Sequence, residues 1–155
     1  MAVAVESQAI ENRTNKHVPY RFSSNTAAVN AFRQAELLDK SGQHEAAVTE
    51  LSRALHIDPH FDEARQLRGW LYLKQTYEPT KALEDHNFLI AEHPKEFNWY
   101  YRRAQVHGVL RQFKEAIADY DQALRLEPQC LNAYCQRAEI WEALGQWQKA
   151  CDDYT

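Results

Sequence analysis

The side chains that could do chemistry in this sequence are its histidines, cysteines and paired carboxylates, and their spacing sets what is open to them. His56 and His60 stand one helical turn apart, a spacing that offers two ligands to a metal, but Pro59 between them interrupts the helix face. Cys130 and Cys135 are separated by four residues and Cys151 is distant, a weak match to the close pairs of a zinc site. Three cysteines, an odd number, read as free thiols in a reducing compartment. His86 and His107 fall in columns that a helical reading assigns to packing, each a packed imidazole with one hydrogen bond. Asp152-Asp153 reads as a solvated helix surface. The four glycines are scattered, with no phosphate-cradling loop, and neither H-E-x-x-H nor G-x-S-x-G occurs. These residues predict a chain that is not an enzyme, with no cofactor and no metal.

The elements that carry them are periodic. Ala47, Ala82, Ala116 and Ala150 recur at intervals of 35, 34 and 34 residues, and Ala35, Gly69, Ala104 and Ala138 at 34, 35 and 34. Pro59, Pro94 and Pro128 close three of the units. Within the first unit, Ala28, Ala31, Phe32, Ala35 and Leu38 follow helical spacing after the candidate N-caps Ser24, Asn25 and Thr26. Ser41-Gly42 breaks that helix, and Ala47, Val48, Leu51, Ala54 and Leu55 mark a second one that ends at Asp58-Pro59. The unit of helix, turn, helix and proline returns three times, giving repeats at about 28–60, 61–94, 95–128 and 129–155, the last stopping within its second helix. The single irregular interval puts one extra residue between Gly69 and Ala82, in Gln75-Thr76-Tyr77-Glu78-Pro79, with Pro79 suited to a first helical turn. Residues 1–24 precede the periodicity and read as a flexible N-terminal arm, with Val18-Pro19-Tyr20-Arg21-Phe22 as its one concentrated feature. That segment either lies on the first helix or docks in the groove or on a partner.

Bulk properties narrow the partners. A net charge of -4, spread along the chain, argues against a nucleic-acid footprint. No apolar run approaches the roughly 18 residues of a membrane span, and Met1 to Gln8 make a poor secretory signal. A cytoplasmic location is expected.

The columns resemble those of the tetratricopeptide repeat, W-x2-L-G-x2-Y followed by A-x3-F, A and P over 34 positions. The fourth unit reads Tyr134-x2-Arg137-Ala138-x2-Trp141 and Ala150-x3-Tyr154; the third reads Tyr100-x2-Arg103-Ala104-x2-His107, then Ala116-x3-Tyr120-x2-Ala123 and Pro128. The second keeps Arg68-Gly69-x2-Tyr72 and Ala82-x3-His86, and the first keeps Ala35, Leu38, Ala47-x3-Leu51-x2-Ala54 and Pro59. The resemblance implies an all-α, right-handed superhelical solenoid of antiparallel helix pairs, about three and a half repeats over 25–155. Its physics is independent of the family. Small residues let paired backbones approach, while Leu38, Tyr72, Trp141, Leu51, Tyr120 and Tyr154 fill the space between helices. Each hairpin leans on the next.

Arg68, Arg103 and Arg137 stand where the family usually has leucine, and Glu50, Asp85, Asp119 and Asp153 put an acid in every second helix. Ion pairs between successive repeats are expected: Glu50 with Arg68, Asp85 with Arg103, Asp119 with Arg137.

The resemblance further implies that the first helices line an inner, concave groove. The positions beside the packing columns there are Phe32, Arg33 and Glu36; Gln66, Trp70 and Lys74; Asn98, Tyr101, Arg102 and Gln105; and Asn132 and Gln136. Phe32, Trp70 and Tyr101 put an aromatic anchor in three successive units. The amides can both donate to and accept from an extended peptide, and Arg33 and Arg102 can hold a carboxylate or phosphate. Relatives that bind the acidic tails of heat-shock chaperones use a clamp of Lys and Asn, then Asn, then Lys and Arg. Phe32, Glu36, Leu67, Asn98 and Arg102 occupy those places here, and only Arg102 matches. The expected function is a non-enzymatic adaptor holding a peptide or helix of another protein. The alternatives are a chaperone for a specific client and a scaffold that self-associates through its uncapped C-terminal repeat.

Overall fold

The computed structural model describes residues 21–155, so the part of the expected arm up to Tyr20 lies outside the described residues. Among the described residues there are eight helices and no strands. They pair as α1 (Thr26–Lys40) with α2 (His44–Ile57), α3 (Asp62–Lys74) with α4 (Pro79–Glu92), α5 (Phe97–Val109) with α6 (Phe113–Leu126), and α7 (Leu131–Ala143) with α8 (Trp147–Tyr154). Each helix packs mainly on its neighbours in sequence, the one-dimensional stacking of a solenoid.

Local chemistry starts and stops these helices. Asn25 caps α1, its side-chain oxygen accepting from the amides of Ala27 and Ala28 at 3.0 and 3.4 Å. Pro79 stands in the first turn of α4, as its fixed φ favours. The turns inside the four pairs share a left-handed residue: Gly42 (φ 78°), Tyr77 (54°), Arg111 (58°) and Gly145 (70°). Glycine adopts this conformation freely, whereas Tyr77 and Arg111 carry a cost of about 1 kcal/mol. In three pairs the amide after this residue closes back over five positions: Gln43 to Leu38, Gln112 to His107, and Gln146 to Trp141. In the second pair Glu78 closes over six, onto the carbonyl of Tyr72 at 2.7 Å. The extra residue therefore lies between Tyr72 and Tyr77.

Ala35, Ala104, Ala138, Ala47, Ala82 and Ala116 are completely buried, and Ala150 nearly so. Gly69 completes the first column for a specific reason. A Cβ built on it would meet the His86 ring at 3.2 Å and Asp85 Cβ at 3.4 Å, so α3 and α4 approach here more closely than an alanine allows without adjustment. Gly69→Leu is expected to lower stability in urea unfolding by about 1–3 kcal/mol through overpacking. Gly108→Ala, whose nearest neighbour would be Ile140 at 4.0 Å, is expected not to lower it. Leu51, Tyr72 and Tyr120 are buried as the columns imply. Tyr154 is half exposed instead, because α8 packs chiefly on α7.

The arginine pairing differs from expectation. Arg68 grips Asp85 with two hydrogen bonds (2.9 and 2.6 Å), Arg103 grips Asp119 (2.7 and 2.7 Å), and Arg137 grips Asp153. Each acid belongs to the same repeat as its arginine, not to the preceding one. Each arginine directly precedes its small-column residue, and that column presses on the second helix of its own pair. The remaining guanidinium nitrogen does cross to the preceding repeat, but two residues beyond the expected acid: Arg68 to Ser52 at 3.1 Å, Arg103 to Asn87 at 2.7 Å and Arg137 to Asp121 at 2.5 Å. Glu50 instead sits 3.1 Å from Arg53 in its own helix. The arginines thus lock each pair internally and set its register against the one before.

Candidate functional site

The first helices α1, α3, α5 and α7 carry all twelve residues expected to face a partner. Two clefts open among them. The first, about 320 Å³, spans three helices: Phe32 and Glu36 of α1, Glu63, Gln66, Leu67 and Trp70 of α3, and Arg102 of α5. Phe32 and Trp70 serve packing and cleft together. Both are half-buried against the core, Phe32 tilts onto Phe61 with ring centroids 5.0 Å apart, and both also wall the cleft. The cleft combines an apolar floor with two carboxylates and one guanidinium.

The second cleft, about 340 Å³, runs from Lys74 of α3 past Gln105 and Val109 of α5 to Gln136, Glu139 and Ile140 of α7. Gln105 donates to the Tyr101 hydroxyl at 3.2 Å and to Gln136 Oε1 at 3.0 Å, and the Tyr120 hydroxyl donates to that same oxygen at 2.7 Å. The amides expected to meet a peptide backbone are therefore partly engaged with one another. Burial pushes the Tyr120 and Tyr101 phenols up, so both stay protonated at neutral pH.

Eight of the twelve expected residues line these clefts, and four do not. Arg33 and Asn132 are exposed, and Asn98 is half-buried. Tyr101 turns toward the core, edge-on to Tyr120 with ring centroids 6.0 Å apart, so it supports the second cleft from behind. The sequence reading missed Phe113 and Tyr120, which reach the second cleft from α6. The packing column marks Tyr120 as core, and spacing alone does not show that its edge borders a gap.

Asp62, only 2% exposed, begins α3 one residue before the first cleft. Its carboxylate accepts from the Arg21 backbone amide at 3.1 Å and lies 2.7 Å from His93 Nε2, while its own amide donates to the Arg21 carbonyl at 3.3 Å. His86, buried between α3 and α4, has its pKa depressed to about 3 by desolvation, with the Arg102 and Arg103 charges adding to the effect. It is a neutral packing group. Among the described residues no three His, Cys, Asp or Glu side chains are arranged to hold a metal, and no helix is long and apolar enough to cross a membrane.

A family model described as the tetratricopeptide repeat matches residues 97–130, the third helix pair with its closing turn. The chain has the fold of a tetratricopeptide-repeat solenoid. Solved structures share the architecture of its repeats. MamA from Desulfovibrio magneticus RS-1, from its residue 41 onward, superposes with a TM-score of 0.76 at 18% identity, over 82% of this chain and 71% of that one. A second MamA crystal structure gives 0.75 at 16%, over 99% and 82%. The first repeat domain of Spaghetti (RPAP3), bound to the HSP90 peptide SRMEEVD, gives 0.70 at 23%, over 84% and 99%. At these identities the likeness establishes the fold. No curated protein matches the chain.

Proposed function

We propose that this protein is a non-enzymatic adaptor that holds an extended segment or helix of a partner protein along the face made by α1, α3, α5 and α7. The first cleft carries this reading: Phe32, Leu67 and Trp70 form an apolar floor, in a wall that also holds Glu36, Glu63 and Arg102. Large, partly buried aromatics beside charged groups are the composition of binding hot spots. The repeat domain of Spaghetti (RPAP3) offers a structural precedent in its complex with the HSP90 peptide SRMEEVD. Here the ligand differs, because Glu36 and Glu63 oppose an acidic tail and the carboxylate clamp is missing. We place the protein in the cytoplasm, in keeping with Cys130, Cys135 and Cys151 as free thiols.

Affinity capture from lysate tests the groove. Trp70→Ala and Arg102→Ala are each expected to weaken recovery of the specific partner, Trp70→Ala by about 2 kcal/mol, roughly thirtyfold. Circular dichroism checks that both variants remain folded. Unchanged recovery by folded variants would move the site off this face. A fluorescent SRMEEVD peptide is expected not to bind.

A second reading, self-association through the last pair, draws on one observation: Trp147, Tyr154 and Leu144 are 65, 50 and 41% exposed. Light scattering tests it, and a mass that stays monomeric across concentration would remove it.

A further inference from the structure

We propose that the second cleft binds an extended strand of a partner protein, one residue of which bonds Gln105 and Gln136 through its backbone while an apolar side chain fills the floor. It rests on the adaptor reading above and narrows it from segment or helix to strand. The polar groups of this cleft are oriented by their own bonds. Gln136 Oε1 accepts from Gln105 Nε2 at 3.0 Å and from the Tyr120 hydroxyl at 2.7 Å, which engages both its lone pairs. Gln105 Nε2 donates both its hydrogens, to that oxygen and to the Tyr101 hydroxyl at 3.2 Å. Gln105 Oε1 is therefore left to accept, and the Gln136 amide nitrogen to donate. That nitrogen carries two N–H groups, so it keeps a donor even with one turned to the Tyr101 hydroxyl. Tyr120 is 2% exposed and burial keeps its phenol protonated, so this polarity holds at neutral pH. One acceptor and one donor from neighbouring helices are the complement of a single extended residue, whose N–H and C=O point the same way. A docked helix has no such pair to offer, because its backbone groups bond one another.

The apolar part lies beside these amides. Ile140 is buried, Phe113 half-buried and Val109 56% exposed, so the floor continues into an open apolar rim. Gly108 lines the same cleft, and a Cβ there would meet nothing nearer than Ile140 at 4.0 Å, which leaves room for an incoming side chain. Side chains of a strand alternate between its two faces, so every second one reaches this floor. Lys74 and Glu139 are both exposed on the cleft wall and opposite in sign. Such a rim selects neither an acidic nor a basic segment, so the occupant is an apolar strand with little net charge.

The probe is a phage-displayed library of random peptides about a dozen residues long, selected on the 155-residue chain. Selected peptides are resynthesised with a fluorescent label and titrated by anisotropy. Affinity is expected to fall at least about tenfold for Gly108→Leu, which fills the cleft, and for Val109→Asp, which charges its apolar rim. Circular dichroism checks that both fold; Val109 is exposed enough to keep its variant informative if Gly108→Leu is not. Methylating the peptide's backbone nitrogens one at a time is expected to cost about tenfold at one position, where the N–H to Gln105 Oε1 is lost. The proposal is overturned if selection yields no binder, if methylation matters nowhere, or if the peptides turn helical on binding. Peptides weakened by Trp70→Ala but not by Val109→Asp would overturn this inference alone and leave the first cleft as the site. Peptides indifferent to both substitutions would remove both.

Discussion

Asp85→Ala is expected to destabilise the protein by about 3–5 kcal/mol, the largest loss of any single carboxylate here. Asp85 is 1% exposed and accepts from two arginines, Arg68 through two nitrogens and Arg65 at 3.2 Å. Arg65 is further held by the Pro59 carbonyl at 2.7 Å and lies over the Phe88 ring, 3.7 Å from its centroid. Removing the carboxylate leaves two mostly buried guanidinium groups without their counter-charge, and that desolvated charge dominates the cost. Asp121→Ala is the control. Asp121 is 42% exposed on its side chain and supplies only the cross-repeat contact to Arg137, so its loss is expected to stay within about 1 kcal/mol. Urea unfolding of the three proteins, compared by midpoint at equal slope, measures both. Equal losses for the two variants would mean that burial does not govern this ladder.

The second large effect is acid sensitivity through His86. Its ordinary value is 6.5, and in the folded protein it falls to about 3 because burial disfavours the imidazolium, with Arg102 and Arg103 adding repulsion. Below pH 6.5 the unfolded chain takes up a proton there that the folded chain refuses, so protons favour unfolding. This contribution to stability is complete above pH 6.5 and is lost as pH falls toward 3, on the order of 4 kcal/mol in all. His86→Leu, which places in this column the residue type of Leu51, removes the term. Wild type and variant are expected to diverge as pH falls from 7 to 4, the variant losing less. Both carry the same carboxylates, so their difference isolates the histidine. Parallel pH profiles would show that the imidazole is protonated in the fold.

The fold was almost wholly legible in the sequence, because two small-residue columns mark where paired backbones touch, and that contact repeats in every pair. The insertion was legible too, from one interval of 35, and the hydrogen-bonded turn at Glu78 then narrowed it. The arginine ladder was half legible. Residue type and spacing showed that Arg68, Arg103 and Arg137 need acids, but choosing between two acids a repeat apart depends on which helix the small column presses against. Side-chain direction explains the misses at the site. Tyr101 and Trp70 are both aromatics on first helices, yet one turns to Tyr120 and the other walls the cleft. A period of 34 does not encode that difference. Nor does it show that Gln105 and Gln136 bond each other before any ligand arrives.

Hydrogen exchange on the protein with its captured partner bound tests the central claim most directly. A partner held in the first cleft brings new protection concentrated on α1, α3 and α5, strongest around Gln66 to Trp70, with α2, α4 and α6 unchanged. Protection confined to the second helices, or to α8 alone, would contradict it.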